Sequence, residues 1–274
     1  MRLTTMGCVV TETLMPVNGI QVCVETFGEP AEPPLLLLAG EANSMDWWDD
    51  EFCRRLAAGG RFVIRYDHRD TGRSTCFPVG VPGYTGLDLM NDALGVLDAL
   101  GVPAAHLVGF SLGGALGMRI AVRHPRRVLG LTLLSTSADG TTTDTTHAEV
   151  DWSNRKAAVA GLVAEVIAHG GPFTPEEPQL RRLAERVFDR SAGLAAARDN
   201  HRLAGYGPPI RDRLGDITAP TVVLHGTLDQ RFPAEHPEEL ARVIPGARLV
   251  WLDGVGHEFP PRAVWDRVIA EILA

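Results

Sequence analysis

The sequence predicts an α/β architecture: a mainly parallel sheet with helices on both faces. Short apolar runs at residues 35–39, 62–66, 106–110, 129–135, 221–225 and 248–252 read as strands, and stretches of helical period separate the first four. The run at 35–39 is apolar at every position, the mark of a strand covered on both sides. The stretch 107–117 reads as a strand turning sharply into a helix, with Ser111 at the turn. In such a sheet the ligand site lies beyond the carboxyl ends of the strands.

That turn carries the first chemical signal. Gly109-Phe110-Ser111-Leu112-Gly113 places small residues two before and two after the serine, as a tight strand-to-helix turn with a strained, exposed serine requires. Ser111 is therefore the candidate nucleophile. Gly113, Gly114, Ala115 and Gly117 are poor helix formers when isolated, so their clustering predicts a helix pressed against the sheet with its N-terminus aimed at the reaction centre. The rival reading is a dinucleotide-binding turn, Gly109-x-Ser111-x-x-Gly114. Against it, Ser111 replaces the middle glycine and the strand at 129–135 ends without an acidic residue for a ribose hydroxyl.

The 274 residues, 45% of them hydrophobic, are enough for one large domain with an inserted subdomain. A formal charge of -8 argues against nucleic acid or an anionic membrane as partner. Cys8, Cys23, Cys53 and Cys76 show neither disulfide nor metal-ligand spacing. No signal-peptide core is evident near the start, and no run approaches the roughly 20 apolar residues that span a bilayer, so a cytoplasmic protein is expected.

Along the chain, residues 9–14 and 21–25 are expected to pair as a hairpin across 16–19. The strand at 35–39 ends at Gly40-Glu41-Ala42-Asn43, where the backbone N–H of Glu41 is the candidate second oxyanion donor; the alternative is that Gly40 only relieves crowding. Residues 46–58 are expected to form one helix burying Trp47, Trp48, Phe52 and Leu56. The charged cluster from Asp67 to Ser74 reads as turn chemistry rather than a metal or acid/base site. A helix at 87–100 ends at Gly101-Val102-Pro103.

The rhythm breaks after residue 136. Residues 137–215 hold a Thr-rich loop and three helical segments near 155–169, 177–190 and 192–206, read as a helical lid on a core made of 1–136 and 216–274. Trp152, Phe173, Phe188 and Tyr206 of that insert, with Phe110 beside the serine, are the candidate substrate pocket; the alternative is that the lid aromatics pack the lid's own core.

Two further strand ends complete a constellation. A serine alcohol needs a histidine to take its proton and a carboxylate to fix the imidazole. Asp229 follows the strand at 221–225 and His257 the strand at 248–252, so the chain order is serine, acid, histidine. Asp139 is the rival acid. The other histidines lack a comparable strand-end setting.

Across about residues 20–273 the chain resembles the α/β-hydrolase superfamily. The serine turn, Tyr66-Asp67-x-Arg69-x-x-Gly72-x-Ser74, Gly226-x-x-Asp229 and Gly254-x-Gly256-His257 carry the resemblance. Residues 66–75, Ile244-Pro245 and the helical insert resemble the aclacinomycin methylesterase group of polyketide-tailoring esterases. The resemblance implies an eight-stranded, mainly parallel sheet with the lid inserted after the sixth strand. It also implies Ser111 as nucleophile, His257 as base, Asp229 as acid, and the amides of Leu112 and Glu41 as oxyanion donors. Ala39 stands where many members have histidine, and Asp70 where glycine is common. The expected partner is a small or medium hydrophobic ester, cleaved through an acyl-enzyme without metal or cofactor. Lactonase, thioesterase, carbon–carbon bond hydrolase and perhydrolase chemistry use the same three residues, and a binding protein without turnover is the non-enzymatic alternative.

Overall fold

The computed structural model describes residues 12–138, 150–205 and 207–274. Its centre is one eight-stranded sheet in the order β1-β2-β4-β3-β5-β6-β7-β8. β1 (Thr13–Val17) and β2 (Ile20–Phe27) form an antiparallel hairpin, and β2 pairs antiparallel with β4 (Phe62–Tyr66). β3 (Pro34–Leu38), β5 (Ala105–Phe110), β6 (Val128–Leu134), β7 (Thr221–Gly226) and β8 (Arg248–Leu252) run parallel with β4. The hairpin sits later in the chain than expected, because Asn18 and Gly19, both with positive φ (46° and 80°), make its two-residue turn. Such a turn suits the twist of paired strands.

The apolar runs end up where their pattern requires. In β3, Leu36 and Leu38 join one hydrophobic cluster, with Leu107, Leu116 and Leu97, while Leu35 and Leu37 join the cluster on the opposite face, with Val108, Phe52 and Trp265. Alternate side chains of a strand point to opposite faces, so a run apolar throughout is a run with helices above and below. The covering helices include α1 (Asp50–Ala58), α2 (Gly86–Ala99), α3 (Leu112–Arg123) and, at the chain's end, α8 (Trp265–Leu273).

One expected helix is two pieces. A short 3-10 turn at Met45–Trp47 precedes α1, and the break falls at Trp48 and Asp49. Asp49 caps α1 by accepting from the Glu51 N–H at 2.7 Å, and the Trp48 carbonyl is taken by the Arg65 guanidinium. A capping carboxylate and a carbonyl turned away from the helix end the ladder there.

Between β6 and β7 lie α4 (Arg155–His169), α5 (Glu177–Arg190) and α6 (Leu194–Ala204), close to the expected segments. The first two share a hydrophobic cluster of their own around Val159, Leu162, Leu180 and Val187. α7 (Glu235–Val243) links β7 to β8. Among the described residues no helix is long and apolar enough to cross a membrane, and no cluster of His, Cys, Asp or Glu is arranged to hold a metal ion.

Candidate active site

Strand order brings the candidate residues together. β3 lies beside β5 at the middle of the sheet, with Leu38 opposite Gly109, so the loop after β3 and the turn after β5 are neighbours at the carboxyl ends of the strands. Ser111 occupies that turn with φ 51° and ψ −115°, outside the regions L-residues favour. Its conformation is held from several sides. The Ser111 N–H donates to the Leu134 carbonyl at 2.9 Å, and its own carbonyl accepts from the Thr136 hydroxyl at 2.7 Å and the Gly114 N–H at 3.0 Å. A Cβ on Gly109 would overlap the Gly113 carbonyl, and one on Gly113 would overlap the Leu38 carbonyl. The small residues flanking the serine thus allow strand, turn and helix to touch backbone to backbone. Leu112 opens α3, and first-turn amides of a helix have no acceptor within it.

The loops after β7 and β8 meet beside this turn. Asp229 is buried, and its Oδ1 accepts from the Arg231 and Phe232 N–H groups at 2.9 and 3.0 Å. Its Oδ2 accepts from His257 Nδ1 at 2.9 Å, which leaves the proton-free Nε2 of a neutral imidazole available as a base. Burial raises the Asp229 pKa, but the His257 hydrogen bond and charge, with His225 and the Phe232 N–H, outweigh it and hold the carboxyl below its ordinary value. The imidazole of His257 lies between rings, with Phe110 at 5.1 Å and Phe232 at 5.3 Å.

Ser111, His257, Phe110 and Glu41 line one cavity. Its other walls include Trp47, Phe259 and Trp265 from the core and Val166, Leu180 and Leu183 from α4 and α5. Of the aromatics expected from the insert, the three within the described residues are elsewhere. Trp152 and Phe188 pack against the insert's own hydrophobic cluster, and the Arg198 guanidinium stacks 4.4 Å from the Trp152 ring. Phe173 is 45% exposed and lies against Gly254. Tyr206 and the rival acid Asp139 fall outside the described residues. From the insert the pocket takes Val166, Leu180 and Leu183 together with the polar side chains of Glu165, His169 and Arg198, and not Trp152, Phe173 or Phe188.

The charged cluster after β4 is taken up in its own loop and its neighbours. Asp67 accepts from the Met45 and Arg73 N–H groups and from Arg190, and Arg69 grips Asp92 through two bonds of 2.5 and 2.9 Å. Asp70 sits at φ 65°, which explains why glycine suits that position, and accepts from Tyr84, Asn200 and the Phe77 N–H.

Three side chains escaped sequence reasoning. Glu258, beside the histidine, accepts from the Gly171 N–H at 3.0 Å and the Thr174 hydroxyl at 2.8 Å, tying the end of α4 to the His257 loop; burial raises its pKa. His68 donates from Nε2 to the Ala39 carbonyl at 3.1 Å, and His201 of α6 bonds the Ala42 N–H. A buried acid next to a candidate base was a usable signal for Glu258, whereas the two histidines acquire meaning only from loops distant in sequence.

His68 also predicts an acid sensitivity. Burial, helped by the nearby His201 and opposed by the Ala39 carbonyl, pushes its pKa from 6.5 down to about 3. Between those values the unfolded chain binds a proton that the fold excludes. Stability is thus complete above pH 6.5 and declines as pH falls, by about 1.4 kcal/mol per pH unit from this group. Urea midpoints at successive pH values are expected to fall less steeply in His68→Gln, whose amide keeps a donor for the Ala39 carbonyl; identical slopes would refute the assignment.

Comparison with known proteins agrees with this architecture. A model of the alpha/beta hydrolase fold family matches residues 33–260. The chain is 36% identical to rhodomycin D methylesterase DauP of Streptomyces sp. (strain C5), covering 91% of this chain and 93% of that one. It is 35% identical to rhodomycin D methylesterase DnrP of Streptomyces peucetius, again over 91% and 93%. Among solved structures, the enol-lactonase from Burkholderia xenovorans LB400 superposes with a TM-score of 0.76 at 25% identity, covering 95% of this chain and 99% of that one. In fold, in the turn that carries its serine and in the extent of these matches, the chain belongs to the α/β-hydrolase fold family.

Proposed function

We propose that this chain is a serine-dependent hydrolase of carboxylic esters, acting on a hydrophobic methyl ester of the polyketide-tailoring kind. One observation carries the reading: a conformationally strained Ser111 shares a cavity with His257, whose second ring nitrogen is fixed by the buried Asp229. Two relatives above 30% identity are methylesterases, which supports the choice of ester.

In this reading Ser111 Oγ attacks the ester carbonyl as His257 Nε2 takes its proton. The tetrahedral oxyanion is met by the amides of Leu112 and Glu41, and Asp229 stabilises the imidazolium. His257 then protonates the departing alcohol, and a water deprotonated by the same nitrogen releases the acid and restores Ser111. The helices between β6 and β7 act as the lid, with Val166, Leu180 and Leu183 excluding water from the acyl group.

The test is methanol release from an aromatic polyketide methyl ester, beside p-nitrophenyl esters of short and medium acyl chains and a lactone of similar size. The methyl ester is expected to give the highest kcat/KM. A preference for the lactone by tenfold or more would reassign the substrate class, and failure of the folded enzyme to turn over any of them would remove the hydrolase reading.

A further inference from the structure

The loop after β3 is gripped by two histidines that the mechanism does not use. His201 is 2% exposed, and both its ring nitrogens are occupied. Nδ1 lies 3.0 Å from the Ala42 backbone nitrogen, and Nε2 lies 2.8 Å from the Arg69 carbonyl. An amide N–H can only donate and a carbonyl can only accept, so the ring must be neutral with its proton on Nε2. A protonated ring would set one N–H against another. Burial, the largest influence, lowers the His201 pKa and favours the neutral form, against the raising effects of the Arg69 carbonyl, Glu41 and Asp70.

The acceptor on Nδ1 meets an unusual backbone. Ala42 has φ 57°, in the left-handed region that an alanine seldom adopts, immediately after Glu41. On the other side of Glu41, His68 holds the Ala39 carbonyl at 3.1 Å, and within the loop the Asn43 N–H reaches the Gly40 carbonyl at 3.2 Å. The peptide expected to face the oxyanion is thereby suspended between two buried imidazoles, whose rings stand 6.1 Å apart. One of them, His201, comes from the helices inserted between β6 and β7.

We propose that His201 is a positioning residue for transition-state stabilisation: by accepting the Ala42 N–H it holds the loop in the strained form that aims the Glu41 amide at the oxyanion. The proposal rests on the reading of Ser111 as nucleophile and of the Glu41 amide as an oxyanion donor. It makes formation of the oxyanion site dependent on α6 being docked.

Two near-isosteric variants separate positioning from simple packing. In His201→Asn the side-chain oxygen takes the place of Nδ1 and keeps the acceptor for Ala42, while the donor to Arg69 is lost. In His201→Gln the terminal amide keeps the donor to Arg69, while the acceptor for Ala42 is lost. Each forfeits one buried hydrogen bond, so a purely structural role would affect both alike. The expected result is that His201→Gln loses about 10- to 100-fold in kcat with KM within twofold, as a misplaced oxyanion donor would cause, and that His201→Asn stays within about threefold of native. The affinity of an arylboronic acid, which forms a tetrahedral adduct on the serine, should fall in His201→Gln in step with kcat. Equal activity of the two variants, or a loss confined to KM, would overturn the proposal while native activity and fluorophosphonate labelling of Ser111 persist. Absence of that labelling in the native enzyme would instead overturn the serine-hydrolase reading and this proposal with it. Should either variant melt below the assay temperature, all three proteins are compared at a temperature below the lowest melting point, where the same ordering of kcat and boronate affinity is expected and equal values for the two variants would overturn the proposal.

Discussion

Ser111→Ala lowers ester turnover by about four to six orders of magnitude while leaving the fold intact. The methyl replaces a hydroxyl on a turn whose geometry is set by the Leu134 carbonyl, the Thr136 hydroxyl and the close approach of Gly109 to Gly113, none of which involves the Ser111 side chain. Thermal melting is accordingly expected to stay within a few degrees of native. His257→Ala should cost nearly as much, and the double variant little more than either, because the groups act as one unit. Initial rates of p-nitrophenyl ester hydrolysis, with burst amplitudes to report the acyl-enzyme, check all three. Retention of a tenth of native activity by Ser111→Ala would exclude it as nucleophile.

Arg190→Ala is expected to be the most destabilising single change in the loops around the site. The guanidinium of Arg190, on α5, donates to Glu12 at 2.6 Å, Asp46 at 2.9 Å and both oxygens of Asp67 at 3.0 and 2.6 Å. Asp46 and Asp67 are buried, and burial raises the Asp67 pKa despite Arg190 and the backbone N–H groups of Arg73 and Met45. Removing the cation leaves Asp67 without its counter-charge in a poorly solvated place, whereas Asp46 keeps the Arg186 guanidinium at 2.8 Å, and the expected cost is about 3–5 kcal/mol. Chemical denaturation measures the loss. Adding Asp67→Asn to Arg190→Ala should recover part of it, since the orphaned charge is what costs. A loss below about 1 kcal/mol would place the cluster among ordinary surface ion pairs.

The strands were legible because their chemistry is local. Residues 62–66 and 248–252 occupy β4 and β8 to the residue, since short apolar runs between polar turns have few other uses. The serine turn was equally plain, as Gly109 answers to the Gly113 carbonyl four residues on, although Gly113 itself answers to the distant Leu38 carbonyl. Elsewhere local evidence was outvoted. The period of Trp47, Trp48, Phe52 and Leu56 suits one helix, yet Arg65 claims the Trp48 carbonyl from a strand the helical pattern cannot see. Trp152, Phe173 and Phe188 advertise aromatic surface without saying which way it faces, while the aromatic walls of the cavity, Trp47, Phe259 and Trp265, come from segments far apart in sequence. A lone histidine in an amphipathic helix such as His201 carries no signal until the loops at Ala42 and Arg69 stand on either side of it.

The helices between β6 and β7 are fastened to each functional loop separately: the His169 carbonyl at the end of α4 accepts the His257 N–H at 2.7 Å, Arg190 of α5 holds Asp67, and His201 of α6 holds Ala42. For protein engineering this makes the segment a poor interchangeable cassette. A graft from a relative with a different substrate would import new walls but sever these attachments to the loops beneath, unless it carried equivalents of them. Changing single wall residues such as Val166, Leu180 or Leu183 alters the shape of the cavity and leaves those attachments in place.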